Sequence, residues 1–383
     1  MSDLFRLRTA ALLDRMGDED LDLVLLAHPD SVYYFTAYWG DLGIEFGRPT
    51  VVAVPRDGAL TIVTAAMETE MARALTWVGD VRGYDDGIGG EWRDPLQALL
   101  KDAHGHIGFE RFHCPPVVTE FLREQVRADR LRDVSAALSG LRMVKSPEEL
   151  AQVRQAGRVA VAMGEAGKNA IAEGVPEYEV CLACMGAGTR KAAEIIGAED
   201  PDSFMSPVIH NLQVLNSAHF TSMTHRHPTV RTLRRGDPVY MCFCCIAHFK
   251  QLKLGYDREY FVGEVSDAHA RAYETCIEAQ RAAVEAMRPG VTAEEVHMQA
   301  AEVYRKHGFT SAYRTGRAIG YSSLENPELK EGDTTTLKSG MVFAVDGGIT
   351  VPGEFGARVG DTIIVTENGT ECVTEYPREL TIL

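Results

Sequence analysis

The chain has 383 residues, 45% apolar and 25% charged, with a formal net charge of −16. That length predicts two globular domains, and the acidity excludes a phosphate-backbone partner, which needs a basic face. No apolar run approaches the roughly 18 residues of a membrane span, so neither nucleic acid nor membrane is an expected partner. The opening stretch MSDLFRLRTAALLDRM is amphipathic and charged, unlike a secretory signal. The cysteines at 114, 181, 184, 242, 244, 245, 276 and 372 are too sparse for a disulfide scaffold in a chain this long. A reducing, cytoplasmic location is the expectation.

In chain order, Leu23 to Leu26 reads as an apolar strand leading into a turn at Pro29-Asp30. Pro49 to Val54 and Leu60 to Val63 read as strands joined by the hairpin signal Arg56-Asp57-Gly58. Ala65 to Trp77 reads as a helix, Ile107 to Phe109 as a strand and Val117 to Arg127 as a helix. This alternation is an α/β pattern. Ser146-Pro147-Glu148-Glu149 is a helix start, with a capping serine, proline in the first turn and acids at the positive helix end. The helix it opens runs to about Ala172, and the domain boundary falls near residue 137. Another helix opens at Pro176-Glu177. Val239 to Ile246 and Tyr260 to Val262 read as strands, Asp267 to Ala286 and Ala293 to His307 as helices, and Met341 to Asp346 and Thr362 to Thr366 as closing strands. No repeat or low-complexity tract is visible.

The densest chemistry lies in Asn216 to Gly236, where His219, His225 and His227 fall within nine positions. If the segment is extended, all three point the same way. Such a cluster suits proton transfer or a metal, and it also suits plain surface polarity. The surrounding blocks weight the reading. His225-Arg226-His227-Pro228-Thr229 with Gly236-Asp237 resembles a block of the creatinase, prolidase and methionine aminopeptidase group. Leu141 to Glu149, Gly174 to Glu177, Met287 to Val296, Gly340 to Phe343 and Arg358 to Gly369 resemble further blocks of that group, in order. The resemblance implies an α/β (α+β) fold: a small creatinase-type N-terminal domain, residues 1–137, then a pita-bread catalytic domain, residues 138–383.

The metallopeptidases of the group hold two metal ions with two aspartates, a histidine and two glutamates, a set suited to hard ions that activate water. By resemblance those positions here are Cys242, Gly255, Arg317, Asp346 and Gly360. One carboxylate remains, and an arginine, which does not ligate metals, stands at the histidine position. No metal and no cofactor is therefore expected. A single zinc on Cys242, Cys244 and His225 is the minor alternative, with small buried side chains the ordinary reading of those cysteines.

The resemblance narrows to the metal-free creatinase branch. Phe46-Gly47-Arg48 resembles the creatinase segment whose arginine meets the substrate carboxylate from the partner subunit, a task suited to a two-pronged donor. His225 matches that branch's acid–base histidine. Asp257-Arg258 matches the Glu-Arg pair that holds the substrate's cationic end. The second pocket glutamate of creatinase has no counterpart at Val359 or Gly360, and Asp346 or Glu354 is the nearest substitute. The expected site is thus His225 and Asp257 as catalytic residues, with Phe46, Arg48, Arg258, Arg317, Tyr321, Asp346, Glu354 and Cys242 around the substrate. Cys242 is read as pocket lining, a catalytic thiol being the minority reading. The expected activity is metal-independent hydrolysis of a C–N bond in a small substrate bearing a carboxylate and a cationic nitrogen, in a homodimer with a shared site. The alternatives are a metal-dependent Xaa-Pro dipeptidase and an inactive binding module on the same fold.

Overall fold

The computed structural model describes residues 2–40, 42, 46–87, 90–209, 214–243 and 249–383. The chain divides into two compact units, 1–141 and 142–383, against an expected boundary at 137. The change of unit falls inside a helix, α6 (Ser135–Met143), rather than in a linker.

The first unit holds α1 (Ser2–Asp18), β1 (Leu21–Leu26), α2 (Pro29–Thr36), β2 (Val51–Pro55), β3 (Thr61–Ala65), α3 (Thr69–Leu75), β4 (Asp80–Tyr84), α4 (Arg93–Lys101), β5 (His106–Phe109), α5 (Pro116–Gln125) and β6 (Leu131–Asp133). Its mixed sheet runs β4-β3-β2-β1-β5-β6. Leu23, Leu25, Val51, Val63 and Ile107 pack with Trp92, Leu96, Val118 and Phe121 to form its core. The expected turn at Pro29-Asp30 is instead the first turn of α2. Pro29 occupies the position where its missing N–H costs nothing, and the His28 side chain caps the helix by accepting from the Asp30 amide. The helix expected over Ala65–Trp77 is a short 3₁₀ turn, Ala66–Glu68, followed by α3.

The second unit holds α7 (Pro147–Ala170), α8 (Glu177–Glu199), β7 (Val214–Ser217), β8 (Pro238–Cys242), β9 (Asp257–Phe261), α9 (Asp267–Ala286), α10 (Ala293–Lys306), β10 (Gly316–Ala318), β11 (Glu325–Leu329), β12 (Val342–Val351), β13 (Phe355–Thr366) and β14 (Gly369–Cys372). Its sheet runs β11-β10-β12-β13-β9-β8-β7, with β14 on β13. Ser146 caps α7 in a full capping box with Glu149, and Thr292 does the same for α10 with Glu295, as the sequence spacing dictates for the first of these. Tyr273, Cys276 and Ala279 of α9 pack on Phe343 and Val345 of β12 and on Ala357 and Val359 of β13. Strand alternation then frees Asp346, Arg358 and Gly360 for the other face.

The strand expected over Val239–Ile246 is described as far as Cys242; Cys244, Cys245 and Ile246 lie outside the described residues. The strand expected at Tyr260–Val262 begins earlier and takes in Asp257 and Arg258. A buried charge there is tolerated because Arg258 is fully satisfied. It donates to Asp361 Oδ1 at 2.9 Å and to the carbonyls of Asp257, Gly360, Tyr376 and Pro377 at 2.7–2.9 Å. Asp361 also accepts from Arg378, Gln280 and Thr374. Removing one partner of such a buried pair strands the other, at a cost of about 3–5 kcal/mol. Arg258→Met should therefore lower the urea midpoint of the second unit by a corresponding amount; an unchanged midpoint contradicts this role.

Candidate active site

A cavity of about 400 Å³ opens in the second unit, lined by Thr224, His225, Tyr240, Cys242, Asp257, Ala312, Tyr313, Arg314, Arg317, Ser323, Leu324, Asp346, Gly347, Gly348 and Arg358. Its floor is set by sheet register. Cys242 pairs with Asp257, Asp257 with Gly360, and Gly360 with Asp346. These four residues form one row across β8, β9, β13 and β12. Directly opposed residues share a face, so the row presents a thiol and two carboxylates to one space.

The glycine in that row leaves room for a neighbouring side chain. A Cβ at Gly360 would meet Asp257 Oδ2 at 2.5 Å. The Asp257 carboxylate thus fills the room that a side chain on β13 would need. Asp346 brings a second carboxylate to the same row from β12, while Asp257 occupies the space over Gly360.

Asp257 is buried, and burial raises its pKa from 3.8 to about 6, with the Asp346 charge adding to the shift. The Cys242 hydrogen bond and the positive charges of Arg317 and Arg358 oppose it. Arg317 Nη1 lies 3.2 Å from Asp346 Oδ2, and its Nε donates to the Ser323 carbonyl at 2.8 Å. Arg314 pairs with Glu328 at 2.7 Å. Arg358 differs: its Nη2 donates to the hydroxyls of Thr224 and Thr350 at 2.9 and 2.7 Å, and its Nε has no acceptor among the described residues. A Cβ at Gly348 would meet Arg358 Nη1 at 2.6 Å, so the second glycine of Gly347-Gly348 makes room for the guanidinium.

His225 lies on an exposed turn at the cavity. The turn is anchored by Glu177 at the start of α8. This buried carboxylate accepts from Ser217, from Arg226 Nη1 at 2.9 and 3.0 Å, and from both the amide and hydroxyl of Thr229. Burial alone would raise the Glu177 pKa; these donors overcome it and hold the group below its ordinary value. The three histidines do not share a face. His219 sits in a 3₁₀ turn, Ala218–Ser222, entered through Ala218 at φ 58°, and it lines a different cavity; His227 is exposed.

Of the expected site residues, the structure brings together His225, Cys242, Asp257, Arg317 and Asp346. Three are placed elsewhere. Arg258 turns away into the Asp361 network, because consecutive strand residues face opposite sides. Tyr321 is 2% exposed, with its hydroxyl 3.5 Å from Gln152. Glu354 sits in the turn between β12 and β13 and lines the second cavity. Phe46 and Arg48 belong to the first unit, where Arg48 pairs with Asp86 and its guanidinium stands 5.8 Å from the Phe46 ring. Arg358 was missed, although it lies two residues before Gly360 and period two places it on the same face.

The resemblance puts the metallopeptidases' two-metal ligand positions at Cys242, Gly255, Arg317, Asp346 and Gly360. They do not fit such a pair. The Arg317 guanidinium already stands against Asp346, and the Gly360 position offers only space that Asp257 occupies.

Fold and cavity together define a two-unit α/β chain whose second unit carries a cavity against its sheet. Residues 151–367 match the metallopeptidase family M24, and residues 8–144 match the creatinase/prolidase N-terminal domain; the chain belongs to this family. It is 30% identical to the agropine synthesis cyclase of Rhizobium rhizogenes over 98% of this chain and 96% of the relative. It is 29% identical to the creatinase of a Bacillus species over 97% and 90%. It is also 28% identical to the Xaa-Pro dipeptidase of Pyrococcus furiosus over 97% and 99%. The solved prolidase from Pyrococcus furiosus superposes with a TM-score of 0.79 at 25% identity, covering 95% of this chain and 99% of that one. The Xaa-Pro dipeptidase of Bacillus anthracis gives a TM-score of 0.83 at 23% identity, over 99% and 100%, and shares the fold.

The raised pKa of Asp257 has a stability consequence with a definite sign. Between about pH 4 and 6 the folded chain binds more protons at this residue than the unfolded one, so its contribution falls as pH rises through that window. A shift of this size corresponds to roughly 2–3 kcal/mol. Asp257→Asn should be more stable than the wild type above pH 7, and the wild-type decline between pH 4 and 6 should flatten. Urea unfolding across pH checks both; a variant less stable than wild type at pH 8 refutes the assignment.

Proposed function

We propose that this protein is a metal-independent hydrolase that cleaves a C–N bond (amidino, cyclic amidine or amide) in a small substrate carrying a carboxylate and a cationic nitrogen. The observation that carries this is the charge layout of the cavity: two carboxylates on the floor and one guanidinium, Arg358, that no carboxylate pairs with among the described residues. Above about pH 6 Asp257 is ionised and anchors the cationic end. Arg358, held by hydroxyls rather than by a carboxylate, takes the substrate carboxylate, and Arg317 adds positive charge nearby. His225 takes a proton from water as the oxygen attacks carbon. When the C–N bond breaks, its electron pair stays on nitrogen, and His225 returns the proton to that nitrogen. Such a group contributes about 10²–10⁴ in rate. In the same reading the active form is a cytoplasmic homodimer, with Phe46 and Arg48 of one chain closing over the cavity of the other.

A second reading has a specific support, the 30% identity to a cyclase over nearly the whole chain. The same acid–base residues serve ring closure when the substrate's own nucleophile replaces water. Isotope labelling separates the two. Guanidino, amidine, cyclic-amidine and amide acids, together with Xaa-Pro dipeptides, are incubated in ¹⁸O-water and analysed by mass spectrometry. Hydrolysis places one heavy oxygen in the product; ring closure places none. Turnover confined to Xaa-Pro dipeptides and dependent on added divalent ions overturns the proposal. Binding without turnover across the panel favours a binding module.

His225→Ala should lower turnover by about 10²–10⁴ without loss of fold; wild-type turnover places the acid–base group elsewhere. Mixing Arg48→Ala with His225→Ala chains tests the shared site. Each alone should be nearly inactive, and exchanged dimers should regain one working site. Absence of recovery after demonstrated exchange places the whole site in one chain.

A further inference from the structure

Further along the strand that carries Asp257 lies a second acid–base pair that the proposed chemistry does not use. Glu259, two residues beyond Asp257 on β9, is 1% exposed, and His269, in the first turn of α9, is 4% exposed. His269 Nε2 lies 2.9 Å from Glu259 Oε1. The imidazole has little freedom to turn away: it stacks on Phe355 at 4.2 Å and 17° and meets the edge of Phe261 at 5.0 Å and 88°. The other carboxylate oxygen, Oε2, accepts from the backbone N–H of Arg358 at 3.4 Å. Glu259 and Arg358 also attract through space, and burial raises the Glu259 pKa.

We propose that Glu259 and His269 form a positioning pair for Arg358. The buried carboxylate holds β13 through the Arg358 backbone N–H and attracts the guanidinium through space, without pairing directly with it. This division explains how an arginine can stand half-buried with only two threonine hydroxyls as side-chain partners among the described residues. His269 stands at ion-pair distance from the carboxylate's other oxygen. Its ring also lines a second cavity of about 260 Å³, with His219, Asp237, Ser266 and Glu354. The proposal rests on Arg358 as the anchor of the substrate carboxylate, and its test keeps the two claims separate.

The full chain is labelled with ¹⁵N-arginine, and the Arg358 Nε–H signal is assigned by its loss in Arg358→Lys. Without any ligand, Glu259→Gln and His269→Gln should each displace that signal; both substitutions preserve size and change charge or donor. If Glu259→Gln does not fold, His269→Gln carries the test alone, since it leaves the carboxylate in place. A signal at its wild-type position in the folded variants, even with a lowered melting temperature, reduces the pair to a structural role and overturns the proposal. Guanidinoacetate is then titrated as a probe with a carboxylate and a guanidinium. Its Kd should rise at least fivefold in both variants and in Arg358→Lys. An unchanged Kd in Arg358→Lys removes the anchor role of Arg358, while the ligand-free signal still decides the positioning claim.

Discussion

The structure turns on the carboxylate of Asp361. Buried without exposure, it gathers Arg258 from β9, Gln280 from α9, and Thr374 and Arg378 from the chain's last residues. Arg258 in turn donates to the carbonyls of Asp257 and Gly360, the two residues at which β9 and β13 are in register. The network therefore closes the sheet at the same row that carries the candidate site. Charge satisfied on one side of the strands fixes, on the other, the spacing between Cys242, Asp257, Gly360 and Asp346. The desolvation of two arginines and an aspartate is tolerable only because their donors and lone pairs are met.

The cavity has an electrostatic character unlike that of a site built to hold two divalent ions. Such a site concentrates negative charge and relies on the cations to balance it. Here the balance comes from side chains: Arg317 meets Asp346, Arg314 meets Glu328, and Arg358 opposes the raised pKa of Asp257. Burial lifts the Asp257 pKa to about 6, so at neutral pH the carboxyl is ionised and keeps its negative charge in the cavity.

Much of this was legible in the sequence, for identifiable reasons. Helix starts were legible because a capping box is local: Ser146 and Glu149 satisfy each other's backbone regardless of tertiary context. The order of blocks carried the fold, and His225, Cys242, Asp257, Arg317 and Asp346 were placed together by those blocks. What escaped depends on the third dimension. Arg258 reads as an active-site charge until Asp361, a hundred residues later, is seen to claim it. Tyr321 is adjacent in sequence to the cavity's strands and packs away from them. The turn over Ala218–Ser222 breaks the period-two pattern on which the three-histidine face depended. The short strands β4, β6, β7, β10, β11 and β14 have little pattern of their own and exist through pairing.

The placement of Asp257 over Gly360 has a consequence for how such a site can change. Two neighbouring strands compete for one pocket of space, and only one of them can put a side chain there. A glutamate introduced at position 360 would collide with the aspartate already present, whereas truncating Asp257 alone leaves the space empty. A route from this arrangement to one with the acid on β13 therefore passes through an intermediate that is either overcrowded or one carboxylate short. The two kinds of site are separated not by the difficulty of any one substitution but by the order in which two must occur, and a chain that has made both has no easy single step back.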